Sequence, residues 1–271
     1  MTSFLFWNVM GKDLRPLIAE AVRIHDVDIL MLAESSVSDK ELAASLISIT
    51  GQPFEAISDA RDKVRVFSRL PKNLWIRRQT DHLSARMVIW SLNIGPGILV
   101  AVTHFLSKKN VNEGEQSMLA VELAKEISRV EDAVGYQRTV RVGDLNMNPF
   151  DAGVTGAQSL HAVMTKRLAA RMERQVQGSA YRFFYNPMWG LFGDRTDGPP
   201  GTFYKRSPGV IELFWHMLDQ VLLRPTLMDS LAELRVLDSI GNAPLLTEGA
   251  AIPNVSIASD HLPIFFRLEL E

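Results

Sequence analysis

The sequence of 271 residues contains no cysteine. Disulfide bonds, thiolate metal sites and a cysteine nucleophile are therefore excluded together. Any metal site must use oxygen and imidazole ligands, which suit hard ions such as Mg²⁺ or Mn²⁺ better than they suit structural zinc. Carboxylates, amides and histidines are thus the side chains in which metal chemistry has to be sought.

Long apolar runs are also lacking. No segment approaches the run of about 20 apolar residues that spans a bilayer. No positively charged region precedes the first apolar stretch, as it would in a secretory signal. We therefore expect no membrane association and a cytoplasmic location.

Positive charge is not in excess either, because the net charge at pH 7 is −2. Proteins that grip long duplexes without sequence preference are usually basic. Any contact with nucleic acid is therefore expected to be local, through a short basic cleft. The alternative is that the protein binds no nucleic acid, and net charge by itself slightly favours that alternative.

Apolar residues are plentiful enough for a large core, since 46% of the sequence is hydrophobic. Helix-like and strand-like segments alternate along the chain. Short apolar runs between Phe54 and Thr103 predict an antiparallel meander, and Leu160, Met164, Leu168 and Met172 have the spacing of a helix. Because there is no internal repeat or low-complexity linker, residues 1–271 are predicted to form one domain.

Polar residues follow or precede the apolar runs at their ends. They are Asn8, Glu34, His104, Asp144, Asn146, Asp219, Asp260 and His261. Buried strands that deliver polar side chains to one end are how α/β folds build active sites. A buried carboxylate is costly unless it is paired or bound to a metal. We therefore expect these carboxylates, histidines and amides to converge.

Each residue taken alone has a simpler interpretation. A strand-end glutamate such as Glu34 usually faces water, and the Gly, Asp and Asn residues of 143–146 are turn formers. His104 alone would be a hydrogen-bonded structural histidine, and Asp260-His261 alone a loop or a helix cap. The whole set in this order is a stronger signal than any member.

In this order the sequence resembles the endonuclease/exonuclease/phosphatase superfamily, which includes pancreatic deoxyribonuclease, AP endonucleases, sphingomyelinases, deadenylases and inositol-polyphosphate phosphatases. The matching pieces are Phe6-Trp7-Asn8-Val9, Leu32-Ala33-Glu34, Val102-Thr103-His104-Phe105, Gly143-Asp144-Leu145-Asn146, Leu218-Asp219-Gln220-Val221 and Ser259-Asp260-His261-Leu262-Pro263. The resemblance covers nearly the whole chain. It implies an α/β fold, a four-layer α/β sandwich in which two mixed β-sheets pack face to face with helices on both outer sides.

The resemblance also implies roles at the metal and at the attacking water. Glu34 would be the principal metal ligand and Asp260 a second one, with Asn8 supporting the ion or its bound water. Asp144 would orient and deprotonate the attacking water. Asn146 would donate a hydrogen bond to the phosphate or to that water.

Other roles concern the phosphate. His261 would contact a non-bridging phosphate oxygen, Asp219 would fix its ring, and His104 stands where some members carry a second catalytic histidine. Arg86 resembles a strand arginine that reaches the phosphate in some members, although a solvent-facing strand arginine is the alternative. AP-endonuclease-type members often have an aspartate where this chain has Met10, which weakens an AP-endonuclease interpretation and removes a metal ligand.

Together these roles predict divalent-metal-dependent hydrolysis of phosphodiester bonds, with Mg²⁺ or Mn²⁺ as cofactor and DNA or RNA as substrate. A phosphatase or phosphodiesterase acting on a small phosphorylated molecule or a lipid headgroup shares every catalytic residue and stays open. A catalytically inactive binding module is the third alternative, which the nearly complete set of site residues disfavours.

Substrate choice is expected to depend on residues 178–210, where aromatic residues are interleaved with arginines. Such a segment can stack on unpaired bases and hold phosphates. The favoured alternative is that it packs its own aromatics over the core. A second basic stretch either binds phosphates along one face or forms the solvent-exposed face of a sheet. Its members are Arg61, Lys63, Arg65, Arg69, Lys72, Arg77 and Arg78.

Overall fold

The fold is given by a computed structural model, which describes residues 1–59, 62–78, 86–109 and 111–270. Arg61 of the second basic stretch lies outside these described residues. Five α-helices lie within them: α1 Arg15–His25, α2 Asp39–Thr50, α3 Glu113–Val134, α4 Ala152–Thr155 and α5 Lys166–Ala169. Three short 3-10 helices cover Lys72–Leu74, Pro187–Gly190 and Pro225–Leu227.

The strands of the described residues fall into two groups along the chain. Those before α4 are β1 Thr2–Asn8, β2 Ile29–Ala33, β3 Glu55–Ala56, β4 Val64–Ser68, β5 Trp75–Arg77, β6 Met87–Leu92, β7 Ile98–His104 and β8 Thr139–Asp144. Those after it are β9 Ala162–Val163, β10 Glu173–Val176, β11 Ser179–Arg182, β12 Phe184–Tyr185, β13 Phe203–Tyr204, β14 Trp215–His216, β15 Asp219–Leu223, β16 Leu231–Val236, β17 Ser239–Ile240, β18 Ala243–Pro244 and β19 Ile264–Leu268.

Two mixed sheets form the body of the protein. The first has the strand order β16-β19-β1-β2-β4-β3, and the second has the order β5-β6-β7-β8-β15-β12-β9. Each contains a parallel pair of long strands, β1 with β2 and β7 with β8, whose crossovers are the helices α1 and α3. A parallel pair needs such a crossover, so the carboxyl ends of both strands reach the same edge of their sheet.

The core lies between the sheets and beneath α3. Val100 and Val142 face the first sheet and belong to the cluster that fills the sandwich. Their strand neighbours Leu99 and Ala101 point the other way and pack with Leu123 of α3. This alternation is expected for strands that are covered on both faces. The predicted four-layer α/β sandwich is confirmed.

Several local elements match their sequence signals. Ser38 and Glu41 form a capping box that begins α2, because each side chain satisfies a backbone amide of the other. Asn112 and Glu115 form an equivalent box at the start of α3. Among the described residues, no helix is both long enough and apolar enough to cross a membrane.

The predicted helix through Leu160 and Met172 is wrong. The segment instead contains β9, the four-residue helix α5 and a turn in which Met172 has a φ of 66°. Met164 and Leu168 are 56% and 36% exposed, so the apolar spacing does not mark a buried helical face. Helical spacing without burial provides little stabilisation, because helices in proteins depend on packing of an apolar face.

The predicted meander between Phe54 and Thr103 is correct only in part. Antiparallel pairs do occur, but β3 and β4 belong to the first sheet whereas β5, β6 and β7 belong to the second. The chain therefore changes sheets around the 3-10 helix Lys72–Leu74. Periodicity within each strand does not specify which strand it pairs with, and this is why the crossing was missed.

Candidate active site

The polar residues singled out in the sequence lie at one edge of the sandwich. Asn8 ends β1, Glu34 follows β2, His104 ends β7 and Asp144 ends β8. His104 and Asp144 are paired across the β7–β8 ladder. Asp219 begins the antiparallel strand β15 directly opposite Asp144, so it reaches the same edge from the other direction.

The backbone at this edge is held in uncommon conformations. Glu34 and Asn146 have φ values of 53° and 51°, in the left-handed region that costs a non-glycine residue about 1–2 kcal/mol. Gly143 has a φ of 147°, and a Cβ there would lie 1.9 Å from the carbonyl oxygen of Thr103. A glycine is therefore required directly before Asp144. Left-handed residues of this kind cluster at functional sites.

Glu34 is the most open carboxylate of the set, with 43% of its side chain exposed. Its Oε1 accepts a hydrogen bond from Asn8 Nδ2 at 3.1 Å and lies 3.2 Å from His104 Nε2. The hydrogen bond with His104, supported by that from Asn8, lowers the pKa of Glu34 to about 2 despite its partial burial. Glu34 is therefore ionised at neutral pH.

Asp144 is buried beside Glu34. Its Oδ2 accepts from Asn8 Nδ2 at 3.0 Å, and its Oδ1 accepts from the backbone amide of Asn146 at 2.8 Å. Burial raises the pKa of Asp144, and the neighbouring Asp219 carboxylate adds to this, while His261 and His104 oppose it. A carboxyl group with a raised pKa is better matched to proton transfer near neutral pH than an ordinary aspartate.

His261 and Asp219 form a buried pair, with 2.7 Å between Nδ1 and Oδ2. Burial opposes protonation of the ring, but the Asp219 carboxylate outweighs it, with help from Asp144 and Asp260, and raises the pKa of His261 to about 10. The ring centroid of Phe203 lies 4.9 Å from that of His261. His261 is thus an oriented imidazolium at neutral pH.

The donor set fits a hard divalent cation. Glu34, His104 and Asp144 offer ligand atoms within 4.8 Å of one another; Asp144, Asp219 and His261 are equally close, but the protonated His261 has no lone pair for a metal. Oxygen donors predominate, and Glu34 is charged and open to solvent, as a Mg²⁺ or Mn²⁺ ligand should be. Among the described residues, Asp219 Oδ1 is buried without a hydrogen-bond partner. This edge therefore holds an acceptor oxygen for which the side chains provide no donor.

Asp260 lies close to this set but outside both groups of candidate ligands. Ser259 connects it to the site, because Ser259 Oγ donates to the carbonyl oxygen of Asn8 at 2.6 Å and lies 3.4 Å from Asp260 Oδ1. Asn8 in turn contacts Glu34. Asp260 is thus linked to Asn8 through Ser259, and its metal-ligand role stays a prediction.

Arg86 and Asn146 also lie at this edge. The backbone amide of His104 donates to the carbonyl oxygen of Arg86 at 2.9 Å, and partial burial lowers the pKa of Arg86. Asn146 Nδ2 donates to the carbonyl oxygen of Phe105 at 3.0 Å, so one of its donors already holds the adjoining loop. The phosphate contacts expected of both residues stay predictions.

The structure reveals two supporting residues that the sequence did not single out. Thr202 Oγ1 accepts from the backbone amides of Leu218 and Asp219, at 3.1 and 3.0 Å, and so fixes the start of β15. Trp7 Nε1 donates to the carbonyl oxygen of His261 at 2.8 Å. Trp7 sits in a motif noted in the sequence, but Thr202 has no local signal, because its partners are distant in the chain.

Within the described residues, three arginines of the second basic stretch, Arg65, Arg69 and Arg77, form ion pairs. Arg69 binds Asp28 with 2.6 Å between the charged atoms, and Arg77 binds Asp62 at 2.8 Å. In the aromatic segment, Phe183 and Phe184 are buried, as expected if the segment packs over its own core. Trp189 and Phe192, in contrast, are partly exposed.

Comparison with known proteins agrees with this geometry. The model of the Endonuclease/Exonuclease/phosphatase family matches residues 5–261. The chain belongs to this family. Its members are metal-dependent phosphoester hydrolases, which confirms the resemblance, the class of enzyme and the divalent-metal requirement predicted from the sequence.

Solved structures share the fold at low sequence identity. An AP endonuclease from Archaeoglobus fulgidus is 15% identical with a TM-score of 0.59, over 99% of this chain and 100% of that chain. D. rerio TDP2 complexed with single strand DNA product is 15% identical with a TM-score of 0.57, over 99% and 98%. The 3′ phosphatase NExo (D146N) from Neisseria, bound to product DNA hairpin, is 14% identical with a TM-score of 0.57, over 99% and 100%. A search of curated proteins returned no significant match.

Proposed function

We propose that this protein is a nuclease that hydrolyses phosphodiester bonds of DNA or RNA with Mg²⁺ or Mn²⁺. The observation that carries the proposal is the convergence of Asp144, Glu34 and the His261–Asp219 pair at one edge of the sandwich. Of the three similar proteins, TDP2 is described with single strand DNA product and NExo with product DNA hairpin, and the third is described as an AP endonuclease. Residues 1–271 would form one catalytic domain.

Asp144 would accept the proton of the attacking water. Its raised pKa brings it closer to the pH at which a general base transfers protons efficiently. Its carboxylate is held by Asn8 and by the amide of Asn146, so the attacking water would meet an oriented base. Asn8 Nδ2 donates to both carboxylates, so we assign Asn8 to positioning them and to supporting the ion or its bound water.

His261 would donate a hydrogen bond to a non-bridging phosphate oxygen. Asp219 occupies Nδ1, which directs Nε2 toward the substrate and keeps the ring positively charged. A positive donor that is fixed before the reaction stabilises charge developing on the phosphate without reorganising. His104 would hold Glu34 in place, and Arg86 would add a second positive group beside the phosphate.

Glu34 would hold the divalent cation, with Asp260 as a second ligand. When bound, Mg²⁺ or Mn²⁺ supplies neutralisation of phosphate oxygens and stabilisation of the leaving oxygen. The low pKa of Glu34 keeps this ligand charged across the physiological pH range, so protons compete only weakly with the metal for it.

A cytoplasmic location stays a prediction.

The direct test is hydrolysis by the purified protein with Mg²⁺ or Mn²⁺. Single-stranded DNA, duplex DNA, RNA and a small phosphodiester are compared, with Asp144→Asn as the inactive variant and Asp229→Asn, an exposed aspartate, as the matched control. We expect wild type and the control to cleave nucleic acid and Asp144→Asn to be inactive. Hydrolysis of the small ester but of no nucleic acid would replace the nuclease by a small-molecule phosphoesterase.

A further inference from the structure

Three aromatic rings form a partly exposed cluster outside the catalytic residues. Phe150 is 46% exposed, and its ring centroid lies 6.1 Å from that of Phe192, with 23° between the planes. The ring of Trp189 lies 6.4 Å from Phe150 at an angle of 55°. We call Phe150, Trp189 and Phe192 the aromatic platform. Nearly parallel rings at the surface offer a flat face on which another ring can stack.

The residues next to the platform are hydrogen-bonded to the core or buried in it, so the exposed rings are held in place. Two residues before Phe150, the buried Asn148 accepts from the amide of Met217 at 3.1 Å and contacts His216 Nδ1 at 3.0 Å. Beside Trp189, Met188 is fully buried in the core and its amide donates to Asn186 at 3.0 Å. Both halves of the platform are therefore held to the scaffold that carries the active site.

The platform lies a short distance along the chain from the catalytic residues. Phe150 follows Asn146 by four residues, a span of at most ~15 Å even if fully extended. The segment is shorter than this because it turns, with the amide of Asp151 donating to the carbonyl oxygen of Asn148 at 3.0 Å. Stacked nucleotides are spaced by about 3.4 Å along a strand, so a base close to the scissile phosphate would reach the rings.

Positive and polar groups border the rings. Lys108 Nζ donates to Asp151 Oδ2 at 3.0 Å, directly beside Phe150, and 47% of its side chain remains exposed. Burial lowers the pKa of His216, and the positive charges of Lys108 and Lys205 add to this; Lys205 is itself paired with Glu212. A flat apolar surface bordered by cations matches a nucleotide, which has a flat base and an anionic phosphate.

We propose that the aromatic platform stacks an unpaired base of the substrate strand beside the scissile phosphate, so that single-stranded nucleic acid is the preferred substrate. This inference rests on the proposed nuclease function and adds the strand state and the residues that recognise it. In a duplex the faces of the bases are already stacked on their neighbours. A platform of rings therefore favours strands whose bases are free.

The test combines ring removal with base removal. Wild type, Phe150→Ala, Phe150→Trp and Met118→Ala, an exposed apolar control on α3, are assayed on a single-stranded oligonucleotide. A second set of oligonucleotides carries one abasic residue at successive positions around the cleaved bond. Binding is measured separately, in EDTA, from the quenching of tryptophan emission in wild type and in Trp189→Phe.

We expect Phe150→Ala to lower kcat/KM on the intact oligonucleotide about tenfold, the size of one lost base stack. Phe150→Trp should keep kcat/KM within about twofold of wild type because a flat ring remains at this position. Met118→Ala should do the same because it leaves the platform unchanged. One abasic position should cost wild type about tenfold and cost Phe150→Ala almost nothing, since ring and base act as a pair. Trp189→Phe should lose part of the quenching.

Three results would overturn the platform. If wild type cleaves single strands but Phe150→Ala shows the same kcat/KM and the same abasic penalty, the platform is wrong and the nuclease function stands. If wild type neither cleaves nor binds DNA or RNA yet hydrolyses a small phosphodiester, the nuclease function and the platform both fail. A wild type that cleaves duplexes faster than single strands would also contradict the platform alone.

Discussion

Two buried clusters of charged residues in this protein differ in how completely their atoms are matched. Beneath α3, Arg224 Nε and Nη2 donate to the two oxygens of Glu131 at 2.8 and 3.1 Å, and Nη1 donates to the carbonyl oxygen of Phe183 at 2.9 Å. Thr139 donates to the same carboxylate. The Arg224 guanidinium also lies 3.9 Å from the ring of Phe184. Every charge in this cluster has a partner.

The cluster at the active-site edge is not balanced in this way. Burial raises the pKa of Asp144, and within the described part of the chain Asp219 Oδ1 has no hydrogen-bond partner. Buried groups left unmatched cost stability and are tolerated where function requires them. Burial of charge alone therefore does not mark a functional site; what distinguishes this edge is that the buried carboxylates of Asp144 and Asp219 lie beside the partly exposed Glu34.

Asp144→Asn is expected to have the largest effect at the active-site edge. We expect kcat to fall by about 10³-fold, within the range for loss of a general base. The free energy of unfolding should change little or rise, because the raised pKa shows that burial disfavours the ionised carboxylate. Steady-state kinetics and urea denaturation measure the two effects. A variant with nearly full activity would remove Asp144 from the catalytic role.

The opposite pattern is expected from Arg224→Met in the matched cluster. Glu131 would lose its closest charged partner, at 2.8 Å, and keep Arg182 at 3.4 Å, which should lower the free energy of unfolding by about 3 kcal/mol. Activity per folded molecule should be unchanged, because the pair lies outside the candidate active site. The double variant Arg224→Met/Glu131→Leu should recover a large part of the loss. If the double variant is no more stable than the single one, the pair is not the source of the stability.

Metal binding would sharpen the distinction between the clusters. At about 100 times its Kd, Mg²⁺ or Mn²⁺ should raise the free energy of unfolding of wild type by about 2.7 kcal/mol. Glu34→Gln should lose most of this increase, whereas Glu122→Gln, an exposed glutamate of α3, should keep it. Thermal unfolding with and without the ion, in the presence of EDTA as reference, measures the difference. Equal shifts in both variants would place the ion elsewhere.

The effect that is smallest per pH unit, because it is spread over several units, concerns the His261–Asp219 pair. The pKa of His261 is raised from its ordinary value of 6.5 to about 10 in the folded protein. The contribution of the pair to the free energy of unfolding is therefore complete below pH 6.5 and disappears as the pH rises through 10. One proton corresponds to a slope of at most about 1.4 kcal/mol per pH unit in this window. Asp219→Asn should flatten that slope, measured by urea denaturation at several pH values. An unchanged slope would show that Asp219 does not hold the charge of His261.

Much of the candidate site was predictable because its residues end apolar runs. Asn8, Glu34, His104 and Asp144 stand at the carboxyl ends of strands, and the order of strands and helices implies that these ends meet. The Gly143 that precedes Asp144 is dictated by its backbone. What escaped prediction are the supports: Thr202 fixes Asp219 through backbone amides, a contact that no periodicity signals.

The absence of cysteine and the polar residues at the strand ends define the chemistry that is available, and local sequence patterns specify elements such as β4, β19 and the capping box of α2. These depend on residues that are close neighbours in the chain. Tertiary structure alone decided that the stretch from Leu160 to Met172 is not one helix and that Phe150 meets Trp189. Those outcomes depend on burial and packing between distant segments, which local patterns do not encode.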